Sequence, residues 1–324
     1  MYLMGGEERR KLFKGLVAKA RHMDVGEDFR GWSWDRPPME PPYDLKIPLY
    51  EVAGKYCSTG RDVYLKHVEK ARPIPSKDLV RGSVYHRTVA EVLSVAKVEI
   101  YKTGYDAALK LSGYLAERVD PYLDEVFKDQ AESIKLAGFS ESELEEVREN
   151  VKKIWFYETG QMTAAIHGIL SKQPRIGVDA LVHSAIPVVV EQKLDGSCLG
   201  LSGHLSADAF SFEAIILDLK TGVERDFHKL TTTGYGLVYE SIFEYPINIG
   251  CIVYVGFWKG LPVPKIERVP HLLDEPTRQD FLDERDKKLR IIAEKEDPGR
   301  PRDCFPDCQY WHICHDETKN ILMM

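Results

Sequence analysis

Asp208 and Asp218 fall near the ends of two adjacent expected strands, and Lys220 follows the second acid in the run Asp218-Leu219-Lys220. Strand alternation puts residues 218 and 220 on one face, so an acid and an ammonium converge while Asp208 approaches from the neighbouring strand. Two hard carboxylates suit Mg²⁺ or Mn²⁺, ions that keep some of their waters, bind phosphate oxygens and lower the pKa of a bound water until it is a nucleophile. Lys220 would orient that water or offset charge building on a phosphorane-like transition state. A bare D-x-K also reads as a surface salt bridge. The apolar Ile215-Ile216-Leu217 before it argues against that, because charges continuing a buried strand must be paired or metal-bound.

Glu191-Gln192-Lys193 is a rival match after the apolar run IPVVV. Only Asp179 precedes it as a nearby acid, so Glu191 is expected to order the first strand or to support the site from behind. His86, in RGSVYHRTVAEVL at the start of an expected helix, reads either as a surface or core histidine or as the nitrogen ligand that the two acids lack.

The six cysteines divide into two kinds. Cys198 and Cys251 lie in or beside expected strands and read as small core residues. Cys304, Cys308 and Cys314 form C-x3-C-x5-C in a proline-rich tail, with Tyr310 and Trp311 between them, and Cys57 is the remaining cysteine outside the strand core. Four thiolates fit tetrahedral Zn²⁺ or an iron–sulfur cluster. The spacing is looser than paired C-x2-C knuckles and tilts toward iron–sulfur; in a zinc version His312 or His315 could replace Cys57. Either centre would clip Cys57 to the tail across a loop of roughly 250 residues.

The elements that must position these groups change character along the chain. With 324 residues, 44% apolar and 29% charged, there is material for one large globular domain. The balance of 44 basic to 51 acidic residues neither announces nor excludes a nucleic-acid partner. Much of the acidity is local: residues 117–150 carry eleven acids against four bases, and the remainder balances at 40 to 40. Two basic runs, one from Arg9 to Arg21 and one from Lys66 to Arg87, are candidate phosphate-facing edges. No apolar run approaches the ~18 residues of a membrane span, the opening residues lack a signal-peptide core, and six cysteines are too few for a disulfide scaffold. A cytoplasmic protein is expected.

From about residue 81 to 170 the pattern is helical, with Ser140 and Glu143 forming a capping box. Strands are expected at 186–194, 199–212 and 213–222, then a helix over 229–244, a buried strand over 247–258, a charged helix over 275–295 and the cysteine tail. Residues 35–44, DRPPMEPPYD, read as an extended linker.

Taken in order, Cys57, His86, Gly203 to Asp208, Asp218-Leu219-Lys220, Tyr235 with Glu240 five later, and Cys304, Cys308 and Cys314 resemble the RecB-like PD-(D/E)XK exonucleases that carry a four-cysteine iron–sulfur cluster. Within them the chain looks like the CRISPR-associated adaptation nucleases, and its stretch from Arg30 to Val68 is similar to the longer archaeal subtype I-A subfamily. The resemblance spans residues 31 to 314. It implies an α/β fold with a PD-(D/E)XK, restriction-endonuclease-like core at 176–265, preceded by an N-terminal extension (1–80) and a helical region (81–175) and followed by a C-terminal helix and iron–sulfur tail (266–324), all in one integrated domain.

The same resemblance implies that His86, Asp208, Asp218 and the Leu219 carbonyl hold Mg²⁺ or Mn²⁺, that Lys220 is the catalytic lysine, and that Tyr235 faces substrate. It also implies that Cys57, Cys304, Cys308 and Cys314 hold a cluster, 4Fe-4S rather than 2Fe-2S. The family's Q-x3-Y glutamine falls on Thr231, a departure that removes an amide from the site. The implied substrate is DNA with single-stranded ends or overhangs, trimmed as prespacers before integration into a CRISPR array, with the CRISPR integrase and other adaptation proteins as partners. Two alternatives remain open: a non-catalytic DNA-end-binding subunit of the adaptation complex, which Thr231 favours, and a RecB-like DNA repair nuclease.

Overall fold

The computed structural model describes residues 1–211 and 213–315; Phe212, the expected end of the second strand, and the tail from residue 316 lie outside the described residues. The chain opens with two short helices, α1 (Gly6–Leu12) and α2 (Leu16–His22), then α3 (Leu49–Ala53) and α4 (Arg61–His67). Four helices fill the expected helical region: α5 (Lys77–Thr103), α6 (Tyr105–Asp129), α7 (Ala131–Ala137) and α8 (Glu141–Leu170). The Ser140–Glu143 capping box starts α8 as its sequence anticipates.

After α9 (Val178–Ala185) come β1 (Val188–Leu194), β2 (Leu205–Ser211) and β3 (Ile215–Thr221), then α10 (Lys229–Phe243), β4 (Ile249–Gly256), β5 (Lys265–Leu272), α11 (Glu275–Glu294) and α12 (Trp311–Cys314). The fold is α/β, and the five strands form one mixed sheet in chain order, antiparallel except where β3 and β4, joined through α10, run parallel.

Helices cover both faces. Ile215, Leu217 and Leu219 of β3 and Cys251, Val253 and Val255 of β4 pack into the core that α5, α6, α8 and α9 supply. Ile216 packs the other way, beside Tyr235 and Tyr239 of α10. Alternation therefore puts Asp218 and Lys220 on the α10 side of the sheet. Among the described residues no helix is long and apolar enough to cross a membrane.

Three expectations need correction. Residues 35–44 are not an extended linker: they fold into turns, Met39 is buried, and the buried Arg285 of α11 binds the carbonyls of Pro38, Met39 and Glu40. Much of the Lys66–Arg87 run is spent on ion pairs rather than held open for phosphate. Arg87 pairs with Glu125 and Asp129 of α6, Lys77 and Arg81 reach Glu143 of α8, and Lys66 pairs with Glu51. The acidic segment is in this respect a partner for α5. β5 is the third, a strand that the sequence reading passed over. Its charged alternation and Pro270 suit an edge strand, where a missing N–H costs no ladder bond.

Candidate functional site

The site forms where the sheet breaks. The β2–β3 ladder ends at the Ala209–Leu217 pair, and the β1–β2 register passes over Glu191 and Asp208 between the pairs Val190–Ala209 and Gln192–Ala207. Glu191 there adopts a left-handed backbone, φ 51°, which is strained for a residue with a Cβ. Ala207 packs into the core on the α10 side and Ala209 into the core of the helical bundle, although they lie two residues apart. The strand thus rotates at Asp208.

That rotation hands the Asp208 carboxylate to two partners. Its Oδ2 accepts the Leu219 backbone N–H at 2.8 Å and lies 3.0 Å from His86 Nδ1 on α5. Lys220 Nζ is 2.7 Å from Asp218 Oδ2. The Asp218 oxygen is buried and has no well-angled hydrogen bond, so the lysine serves it as a charge neighbour rather than as an aligned donor. The structure thus brings His86, Asp208, Asp218 and Lys220 to one junction of α5, β2 and β3.

The electrostatics follow from that crowding. Burial works to raise the Asp208 pKa, but His86, Lys220 and the Leu219 N–H outweigh it and hold the carboxyl below its usual value. Burial wins at Asp218, which is pushed up to about 6 with help from the Asp208 charge and against the pull of Lys220. Burial opposes the charged forms of His86 and Lys220, yet the adjacent carboxylates raise both above their ordinary values.

Tyr235 lies near these acids, but its hydroxyl donates to the Ser206 carbonyl at 2.6 Å and ties α10 to β2. Thr231 lies beside Lys220 in the wall of one cavity. Glu240, the second half of the α10 pattern, is far from chemistry of this kind: it is fully buried in a structural clamp with Arg30 and Arg278.

Glu191, expected to order its strand or to support the site from behind, shares a cleft with His86 and Asp208. Other neighbours are not signalled by the sequence. Tyr2 is buried close to the acids, and burial with the Asp208 and Asp218 charges holds its phenol well above the usual range. Nothing in the sequence flags a residue so distant from the strands. Tyr56 and His228 were missed too, although Tyr56 adjoins a singled-out cysteine.

Cys57, Cys304, Cys308 and Cys314 line one small cavity, and all are free thiols. The Cys57 sulfur lies 3.6 Å from the Thr59 hydroxyl, and Arg61 donates to the Cys314 sulfur at 3.8 Å. Burial pushes Cys308 up to about 11 and also raises Cys304 and Cys314, with neighbouring thiols adding to each shift. A bound cation would reverse that preference, and four convergent sulfurs suit a thiophilic group in kind. His312 is exposed and His315 stacks on Trp311 at 3.7 Å, and neither is among the residues that line the cavity. Cys251 is buried in the core as expected, and Cys198 packs beside the core on the α10 side.

Among the described residues no three His, Cys, Asp or Glu side chains stand at a spacing that would chelate a metal ion as they are placed. At the acidic junction the donors nonetheless fit a hard divalent ion in kind. Two carboxylates and an imidazole meet there, and one buried carboxylate oxygen is left without an aligned hydrogen bond.

Comparison with known proteins extends these observations. A family model described as CRISPR-associated exonuclease Csa1 matches residues 3–318. A protein of Saccharolobus solfataricus with that name is 32% identical over 298 residues, covering 90% of this chain and 93% of the relative. One of Thermoproteus tenax, also so named, is 25% identical over 291 residues, covering 90% and 92%. No solved structure matches. The matched span takes in the acidic junction and the four cysteines alike, and on that span the chain belongs to the CRISPR-associated exonuclease Csa1 family.

Proposed function

We propose that the chain is a Mg²⁺- or Mn²⁺-dependent DNA exonuclease with a PD-(D/E)XK core, which trims single-stranded ends or overhangs of prespacers for CRISPR spacer acquisition. The reading rests above all on one observation: Asp208, Asp218, Lys220 and His86 meet at the break between β2 and β3. The names of the two relatives support an exonuclease with a CRISPR role. His86, Asp208, Asp218 and the Leu219 carbonyl would hold the divalent ion, which when bound supplies a Lewis acid and a water of lowered pKa.

The chain's own groups do the rest. The Leu219 N–H fixes the Asp208 carboxylate, and Asp208 in turn orients the His86 ring. Lys220 is kept charged by its two carboxylate neighbours, so it can hold a phosphate oxygen and offset the charge that gathers there as the phosphodiester is attacked. Tyr235 keeps α10 against β2, so that the acids sit at a fixed distance below that helix.

We assign the four-cysteine cavity to an iron–sulfur cluster, 4Fe-4S in preference to 2Fe-2S, that joins the segment around Cys57 to the tail. The proposed partners are DNA ends and the integrase and other adaptation proteins of the CRISPR system, in the cytoplasm of an archaeon.

The test is cleavage of end-labelled single-stranded DNA with Mn²⁺ or Mg²⁺ by wild type, Asp218→Asn and Lys220→Ala. Loss of rate by at least about 100-fold in both variants is expected, the scale of removing a charge-stabilising group. Equal rates in all three would overturn the assignment.

A further inference from the structure

A second cavity opens beside Lys220. Its volume is about 340 Å³, within the size range of ligand sites, and its wall includes Tyr50, Tyr56, Lys66, Lys220, Phe227 and His228. Two of these rings are uncovered: Tyr50 is 63% and Tyr56 46% exposed. Aromatic rings left open beside lysines are the combination that stacks bases and tracks a phosphodiester backbone.

The rings are held in place by contacts that a fortuitous surface patch would lack. Lys66 donates to the Tyr50 hydroxyl at 2.7 Å. Tyr56 packs edge-on against Phe227 at 4.9 Å and tilted against Phe305 at 5.2 Å. Its hydroxyl meets His228 Nε2 at 3.1 Å, and the other ring nitrogen of His228 meets the Tyr254 hydroxyl at 2.9 Å. Pre-set rings lose little freedom when a base arrives.

The charge of the wall is balanced, with Glu51 and Asp62 set against Lys66 and Lys220, and Glu51 is paired with both Lys66 and His67. Lys220 borders the cavity and pairs with Asp218, so the cavity adjoins the acidic junction without an intervening element. Thr231 also lines it, and a side chain that ends at a hydroxyl leaves room that a longer one would take.

We propose that this cavity seats one unpaired base of single-stranded DNA, stacked on Tyr50 and Tyr56 beside the scissile phosphate, with Lys66 holding the Tyr50 hydroxyl. The inference rests on the nuclease reading for its choice of ligand. It adds an unpaired base as the feature that admits a substrate, so a fully paired end would be excluded until it frays.

The test measures binding without cleavage. Fluorescence anisotropy in EDTA compares wild type, Tyr50→Ala and Tyr50→Phe on a labelled single-stranded oligonucleotide and on copies with one abasic site stepped along the terminal nucleotides. Tyr50→Ala should weaken binding of the intact strand by about 5- to 100-fold, the range of a lost base stack, and Tyr50→Phe should stay within about twofold of wild type. At one abasic position wild type should lose the same factor, and Tyr50→Ala should lose no more there.

Equal affinity of wild type and Tyr50→Ala, or losses that add at every abasic position, would overturn the base seat. Cleavage in Mn²⁺ without this coupling would sink the seat and leave the nuclease reading standing. Coupling without metal-dependent cleavage would support the seat and sink the nuclease reading. Because Tyr50 is exposed and its contacts are with Lys66, the variants are expected to fold, and their thermal melts check this.

Discussion

Asp208 hangs from the backbone of the strand beside it, its Oδ2 accepting the Leu219 N–H at 2.8 Å one step beyond the last β2–β3 ladder pair. A side chain has replaced a carbonyl as the acceptor for that amide, which lets the two strands separate without stranding a buried donor. The separation creates the space in which His86 can approach from α5 and Lys220 from β3. Asp208 is therefore both a component of the proposed metal site and a structural acceptor.

The two duties can be separated by substitution. Asp208→Asn keeps an acceptor for Leu219 while removing the charge, and Asp208→Ala removes both. Urea melts should find the alanine variant less stable than the asparagine variant by about 1–3 kcal/mol, the cost of an unsatisfied buried donor. Both should lose metal-dependent cleavage. Equal stability of the two variants would show that the Leu219 bond contributes nothing.

Glu240 gives a prediction about the frame. It is fully buried, accepts from both terminal nitrogens of Arg278 at 2.7 and 2.9 Å and from Arg30 at 2.8 Å, and also takes the N–H groups of Gly31 and Ile247. The 30–33 segment lies so close to α10 that a Cβ on Gly31 would fall 1.9 Å from the Leu237 carbonyl oxygen. Removing one partner from a buried ion pair leaves charge uncompensated, which costs about 3–5 kcal/mol. Glu240→Ala should lose stability on that scale in chemical denaturation. A loss under about 1 kcal/mol would mean that the clamp is dispensable.

The cysteine cavity predicts a composition. Cys57→Ser and Cys308→Ser should each lower iron and acid-labile sulfide per chain and lower the melting temperature, since each removes a thiol from the same cavity. Cys198→Ser, whose thiol packs beside the core instead, should keep both. Full iron content in Cys57→Ser would move the cluster's fourth ligand elsewhere.

Local rules made much of this legible. The Ser140 and Glu143 pairing fixed the start of α8, and the order helix, three strands, helix, strand could be read from periodicity because each run keeps one period. What escaped depends on tertiary context. A uniform two-residue alternation cannot express the rotation at Asp208, which needs Glu191 in a left-handed conformation on the strand opposite. The turns at 35–44 are stabilised by Arg285, which stands 246 positions after Met39, and proline content alone says nothing of such a partner. The basic run looked available only while the acids of α6 and α8 were unplaced. Of the site, the four-residue junction and the cysteine quartet were readable from residue type and order, whereas the aromatic cavity was not, because Tyr50, Tyr56 and Phe227 come together only when α3 meets α10.

His228 gives a dependence on pH. It is 5% exposed, its ring lies between the Tyr56 and Tyr254 hydroxyls, and burial, together with the Lys220 and Arg225 charges, pushes its pKa down to about 4 from an ordinary 6.5. The unfolded chain therefore binds more protons than the folded one between those values, so the stability that the neutral ring contributes is complete above about pH 6.5, falls as the pH drops, and levels off below about 4. His228→Gln keeps hydrogen-bonding capacity and cannot titrate. Urea midpoints at about pH 7 and about pH 4.5 should show a larger acid loss for wild type than for His228→Gln, and the difference between the two losses isolates this ring from the other histidines. Equal acid losses would mean that the imidazole is not held neutral between the two phenols, and the pre-set orientation of Tyr56 would lose its support.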